Sequence, residues 1–155
     1  MTTSPLLLRV ASGLALAQFV AHTSMLLSYS PKHGPDEAAV VEAMRSHLFS
    51  FGGFASHSYW DLYIGYGLMA ALNCVVEAIL FWQLAGMDKD AAFRTTPLIG
   101  LFCIANLAYA ALVGRYFFFL PPIVFDLMIA VCLGLAIIAP HPKSSMPNQT
   151  ELQSS

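Results

Sequence analysis

Four long apolar stretches separated by polar segments set the pattern of the chain. They run from about Leu6 to Leu27, Trp60 to Leu84, Thr95 to Gly114 and Pro121 to Ala139. A bilayer core about 30 Å thick is crossed by about 20 mostly apolar helical residues. Each stretch therefore predicts one transmembrane helix, and together they predict an all-α integral membrane four-helix bundle. Arg9 interrupts the first stretch near its start, and the third carries no charge. Pro121 and Pro122 suit the first turn of the fourth, where a missing N–H breaks no hydrogen bond.

Aromatic positions support these boundaries. Trp60 and Trp82 are 22 residues apart, about 33 Å at about 1.5 Å per helical residue. That separation matches the two interfacial belts of a bilayer. Tyr59 and Tyr63 thicken one belt, and Tyr116, Phe117, Phe118 and Phe119 fall at the same face. Met1 to Pro5 holds no basic side chain. A signal peptide needs one, so the first helix is expected to be retained.

The segment Ser28 to Tyr59 is the one long polar loop between spans. Ser30, Pro31, Gly34 and Pro35 predict a turn. Asp36 can cap a helix and Glu37 suits the positive end of its dipole. Val40, Val41, Met44, Leu48 and Phe51 then recur at helical spacing, with Glu42 and Arg45 on the polar side. Gly52 and Gly53 can end the helix. The prediction is a short amphipathic helix over about 36–51, lying on the interface or capping the bundle, or else serving as a lid over a pocket. Residues 1–140 make one domain, and the polar residues 141–155 read as a disordered tail.

Composition narrows the class. Hydrophobic residues make up 57% and charged residues 10%, and mean hydropathy is +0.66. A soluble domain carries about 25% charge, so a water-soluble monomer and a disordered chain are both excluded. Net charge is −2, and no basic stripe exists to neutralise phosphates, so nucleic acid is not an expected partner. With both termini inside, Arg9, Lys89, Arg94 and Lys143 are cytoplasmic, while Lys32, Arg45 and Arg115 are outside. That bias favours termini inside.

Ionisable groups within spans need partners. His22, His57, Asp61, Arg115 and Asp126 share one membrane face under this topology. They form a candidate ligand-binding group, lining a small polar pocket for a substrate, a proton relay or a metal. The alternative is structural glue, with Arg115 paired to Asp126 or Asp61 and the histidines solvated. His57 and Asp61, with His22 or His47, carry metal-ligand chemistry, but no His-Glu-x-x-His pattern is present and no metal or other cofactor is expected. Glu77 lies deeper, with Asn73 four residues before it on the same face. Arg9, Gln18, Asn73, Glu77 and Asn106 form a candidate polar network, in which Glu77 can pair with Arg9. That network either fixes helix packing or contains a protonatable carboxyl acting as acid, base or ion site. Cys74, Cys103 and Cys132 fall inside spans without paired spacing. They read as small apolar packing, with a three-thiol site as the alternative.

Tyr63-Ile64-Gly65-Tyr66-Gly67 is similar to a potassium-channel filter. The apolar run continues through it without a second pore helix, so it reads instead as close helix contact at Gly65 and Gly67. A broader likeness is carried by Ser58-Tyr59-Trp60-Asp61-Leu62-Tyr63-Ile64-Gly65-Tyr66-Gly67-Leu68, Trp82-Gln83-Leu84 and Arg115-Tyr116-Phe117-Phe118. These resemble a family of small uncharacterised bacterial four-transmembrane-helix proteins, over most of the chain. The position before Ser58, often Arg in that family, is His57 here. The resemblance implies a bacterial inner-membrane location and transfers no activity. A fainter similarity in architecture, to sterol-isomerase-like four-helix domains, rests on Glu77 and Asp61.

Three functions follow as expectations. The first is a lipid- or small-amphiphile-binding or accessory bundle with an outward polar pocket, its partners being membrane lipids, an amphiphilic ligand, a second copy or another membrane protein. The second is an intramembrane isomerase or oxidoreductase acting on a lipid-like substrate, with Glu77 or Asp61 as acid or base and Arg115 stabilising negative charge. The third is a proton or ion pathway from Asp126 and Asp61 to Glu77.

Overall fold

Each apolar stretch folds as one helix, which closes its backbone hydrogen bonds within itself as hydrocarbon demands. The computed structural model describes residues 3–50, 52–53, 55–87, 89–117 and 120–139, and for residues 3 and 89–94 the backbone alone. The chain runs α1 (Thr3–Leu27), α2 (Pro35–Ser46), β1 (Leu48–Phe49), β2 (His57–Ser58), α3 (Tyr59–Ala85), α4 (Lys89–Tyr116) and α5 (Leu120–Ile138). Helices α1, α3, α4 and α5 are long and apolar enough to cross a membrane. The protein is an all-α, multi-pass membrane bundle. The expected tail at 141–155 lies outside the described residues.

Helix α1 packs against α3 and α5, and α5 packs against α4. Across the remaining side, Phe81 of α3 meets Phe102 of α4 edge to face at 5.5 Å. We call the membrane face carrying α2 and the α4–α5 connection the hairpin face, and the opposite one the terminal face. Trp60 marks the hairpin face and Trp82 the terminal face. Each lies under an arginine, Arg45 at 4.6 Å and Arg9 at 5.4 Å from the ring centre. Guanidinium over indole adds cation–π attraction at the water boundary.

The loop departs from its predicted form. Helix α2 begins after Gly34, which holds φ +99, with Pro35 in its first turn. Asp36 is in that turn and not at the cap, and no side chain caps the helix. The helix stops at Ser46 because His47 is extended. Leu48 then pairs with Ser58 and Phe49 with His57 in a minimal antiparallel ladder. Gly52 (φ +64) and Gly53 (φ +81) serve this hairpin, a left-handed backbone that glycine adopts freely. Pairing thus overrode the helical period beyond Met44: Leu48 is exposed and Val41 is the buried residue of α2. Phe51 lies outside the described residues. Helix α2 rests on α3 and β2, with Tyr29 and Tyr63 against Trp60 at 5.6 and 5.4 Å.

Packing differs between the two halves of the bundle. The core near the terminal face joins Leu8, Ala11, Ala15, Ala78, Phe81, Leu84, Ile99, Ile129, Leu133 and Ala136. Fully buried Ala11 and Ala15 let α1 approach its neighbours closely. The Ser12 hydroxyl donates to the Ala78 carbonyl at 2.6 Å, binding α1 to α3. Toward the hairpin face, none of residues 16–25, 59–70, 111–117 or 120–125 is buried. Leu26 is the exception on α1, and it fills the space where a Gly67 Cβ would stand, 2.6 Å from the Leu26 side chain. Gly65 faces open space, so of the two glycines Gly67 is the one that makes close helix contact.

Candidate functional site

The five residues predicted to gather at one face do not form one group. Asp61 completes a capping box: its Oδ2 accepts from Ser58 N–H and from Ser58 Oγ, each at 2.9 Å, and Ser58 Oγ accepts from Asp61 N–H at 3.1 Å. The carboxyl serves the N-terminal amides of its own helix and is exposed. His57 is exposed in β2. Arg115 is exposed and lies over the ring of its neighbour Tyr116, 5.5 Å from its centre. It does not pair with Asp126 or Asp61 as expected, because Asp126 turns inward toward α1 while Arg115 turns out. His22 Nε2 lies 3.1 Å from the Gly67 carbonyl on α3.

Asp126 belongs instead to the deeper network. Gln18 Nε2 donates to Asp126 Oδ1 at 2.8 Å, joining α1 to α5. Asn73 Nδ2 donates to Glu77 Oε1 at 3.4 Å within α3. Asn106 Nδ2 donates across from α4 to Glu77 Oε2 at 3.2 Å and to its own Phe102 carbonyl at 2.9 Å. Glu77 and Asp126 are each 4% exposed and Asn106 1%. Arg9 is not part of this network, since it is exposed over Trp82 at the terminal face. All four spans therefore contribute one polar layer: Gln18, Asn73 with Glu77, Asn106, and Asp126.

Depth arithmetic could have placed Asp126 there. It lies six residues into α5 and Gln18 nine residues before the end of α1. These are depths of about 9 and 13 Å at about 1.5 Å per residue. Charge groups Asp126 with Arg115, whereas its partner at similar depth is the neutral Gln18.

The layer has more acceptors than donors. Two carboxyl groups and three amides form two hydrogen-bonded groups, Gln18 with Asp126 and Asn73 with Glu77 and Asn106, and Asn106 Oδ1 is buried without a hydrogen-bond partner. The two carboxyls interact electrostatically through space, and both act on the Cys74 thiol. Among the described residues, the one salt bridge is His33–Glu37, far from this layer. Cys74 donates to Ala70 O on its own helix and Cys103 to Ala130 O on α5. The three cysteines are free, and no group of three His, Cys, Asp or Glu converges on a metal position among the described residues.

A cavity of about 170 Å³ opens between α1 and α5 toward the hairpin face. Gln18, Ala21, His22, Met25 and Phe125 line it, with the Pro121–Pro122 start of α5. Gln18 thus belongs both to the cavity wall and to the polar layer. A second groove between the same helices, lined by Val10, Leu14, Leu127, Met128, Val131 and Cys132, is wholly apolar and wide open. No family model, no curated protein and no solved structure matches the chain.

Proposed function

We propose that this chain is a proton-binding membrane bundle, in which Glu77 and Asp126 take up and release a proton within the bilayer. One observation carries the reading. Two carboxyl groups, each 4% exposed, are held by amide donors, and no cationic side chain among the described residues bonds to either. An uncompensated buried charge costs several kcal/mol, and in hydrocarbon such residues mark ion and proton paths. A carboxyl that carries a proton is also a donor, which is what the unpartnered Asn106 Oδ1 lacks. Asp61 has no place in this path because it caps α3.

The test is infrared spectroscopy of the protein in lipid nanodiscs. Protonated-carboxyl bands are expected at neutral pH, with one lost in Glu77→Gln and another in Asp126→Asn. Vesicles loaded with a pH dye should acidify faster with the wild type than with either variant. Absence of the bands, together with flux equal to protein-free vesicles, would refute the proposal.

The reading of a bundle that holds a small amphiphile is supported by the α1–α5 cavity, whose wall sets Gln18 and His22 among carbon atoms. Under either reading we place the protein in a bacterial inner membrane with the terminal face cytoplasmic. Arg9, Lys89, Arg94 and Lys143 against Lys32, Arg45 and Arg115 support that orientation, and the Trp60–Asp61 segment supports the bacterial family.

A further inference from the structure

We infer that the carboxyl pair communicates with water at the hairpin face alone, through the α1–α5 cavity, and that Gln18 and His22 are the positioning residues of this route. The inference rests on the proton-binding reading and adds direction to it. Below the polar layer the bundle is closed. Ala11, Ala15, Phe81, Ile129 and Leu133 are all fully buried, and the groove on that side, lined by Val10, Leu14, Leu127, Met128, Val131 and Cys132, presents no polar surface to hold water. Interiors packed in this way leave no room for a water file. Above the layer, the buried residues among the described spans are Leu26, Ala71 and Ala110, and the cavity descends to Gln18, which donates directly to Asp126.

The cavity's 170 Å³ holds a few waters at about 30 Å³ each, and such waters persist where polar groups anchor them. Gln18 and His22 supply those anchors, four residues and one helical turn apart. His22 uses Nε2 on the Gly67 carbonyl, and an imidazole ring carries a second nitrogen that can donate or accept a further hydrogen bond. It is the titratable side chain lining the cavity. The other titratable groups near the pair are thiols. Cys74 on α3 is bonded to Ala70 O, Cys103 on α4 is bonded to Ala130 O, and Cys132 on α5 lines the separate lipid-facing groove. None of them opens a second route.

Two measurements test the inference. In protein lacking its three native cysteines, Ala21→Cys should react with a membrane-impermeant thiol reagent added at the hairpin face and stay unreactive from the terminal face. Ala15→Cys should stay unreactive from both. Labelling of Ala15→Cys from the terminal face, or no labelling of Ala21→Cys from either face, would overturn the inference. In vesicles of uniform orientation, an alkaline jump on the hairpin side should discharge the protonated-carboxyl bands, and the same jump on the terminal side should not. His22→Ala should slow that response tenfold or more, consistent with the roughly 10²-fold weight of a positioned proton-transfer group, and His22→Gln should restore only its structural contact. Discharge from the terminal side would overturn the one-sided route. Missing carboxyl bands with the labelling pattern intact would instead remove the proton-binding reading and leave the cavity as a wet cleft.

Discussion

The terminal and hairpin halves of the bundle are both built from apolar spans, yet they pack to different degrees. Near the terminal face, small residues on α1 meet large ones on α3 and α5, and Phe81, Ile129 and Leu133 lose all exposure. Near the hairpin face, Tyr59, Tyr63, Tyr66 and Phe117 stay exposed at the ends of the spans. Lipid is as apolar as leucine, so apolarity alone does not draw membrane helices together. Close approach depends on small residues and interhelical hydrogen bonds, and these are concentrated at Ala11, Ser12, Ala15, Ala78 and the polar layer. The hairpin half has fewer of them, the Gly67–Leu26 contact, the His22–Gly67 bond and buried Ala71 and Ala110, so its packing is looser and Gln18 and Asp126 sit below it.

The largest expected contrast comes from emptying each half in turn. Phe81 is fully buried and edge-on to Phe102. Phe81→Ala should lower stability by about 3 kcal/mol, the low end for a buried phenylalanine. Phe125→Ala, at the cavity wall, removes a half-buried ring and should cost under about 1 kcal/mol, within the range of substitutions outside a packed core. Unfolding in mild detergent, followed by circular dichroism, compares the two. Equal losses would mean that the halves are equally packed.

At the boundary between the halves, the polar layer should separate stability from protonation. Asn106→Ala leaves Glu77 Oε2 without its cross-helix donor, and a buried polar group stripped of its partner costs about 1–3 kcal/mol. Glu77→Gln keeps the shape and still accepts that bond through its carbonyl oxygen, so its stability should change by under about 1 kcal/mol while one carboxyl band disappears. A Glu77→Gln loss as large as that of Asn106→Ala would assign the carboxylate charge a structural role.

The spans were legible in the sequence because length and apolarity suffice for them: α3 and α5 match the predicted segments to within a residue. Asn73, Glu77 and Asn106 meet in hydrogen bonds, since polar groups in hydrocarbon must find one another, whereas Gln18 bonds Asp126. Partner choice was not legible. Arg9 and Arg115 were each assigned a carboxylate, but both lie at the water boundary against aromatic rings, where a guanidinium keeps its hydration. Asp61 looked like a stray charge because its partner is backbone, and a capping box written Ser-x-x-Asp is a weaker signal than one ending in Glu. The end of α2 was misplaced because a helical period and a hairpin both fit Leu48, and glycines at 52 and 53 suit either a helix end or a turn.

The close Gly67–Leu26 contact of the hairpin half gives a smaller and more local effect. A methyl at Gly67 meets the Leu26 side chain, so Gly67→Ala forces Leu26 to turn and should cost about 1 kcal/mol, the low end for overpacking. Gly65→Ala meets nothing and should gain up to about 1 kcal/mol from helix propensity. Opposite signs are the expected outcome of thermal scans in detergent. If both gain, α1 and α3 are not in contact at Gly67, and the hairpin half is wider still.

The smallest effect lies outside the membrane, where α2 is tied to the bundle by Glu37. Tyr29 Oη donates to its carboxylate at 2.5 Å, the N–H groups of Lys32 and His33 each at 2.6 Å, and His33 Nδ1 lies 3.1 Å away. Led by the Tyr29 hydroxyl, these bonds hold the Glu37 carboxyl at about 2, below its ordinary 4.5. The same bond pushes the Tyr29 phenol above its ordinary 10.0. A carboxyl lowered by folding stabilises fully above its unfolded value and loses that contribution as pH falls toward its folded one. A phenol raised by folding stabilises below its unfolded value and loses that contribution as pH climbs past it. The tie should therefore hold unchanged between about pH 5 and 9, loosen below about 4, and loosen again in strong alkali. Trp60 reports on it through its contact with Tyr29. In a Trp82→Phe background its emission should be flat across the neutral range and shift only in acid, and Glu37→Gln should abolish the acid step. A midpoint near neutrality would mean that α2 is held by something other than Glu37, and that the hairpin half owes its open form to the spans alone.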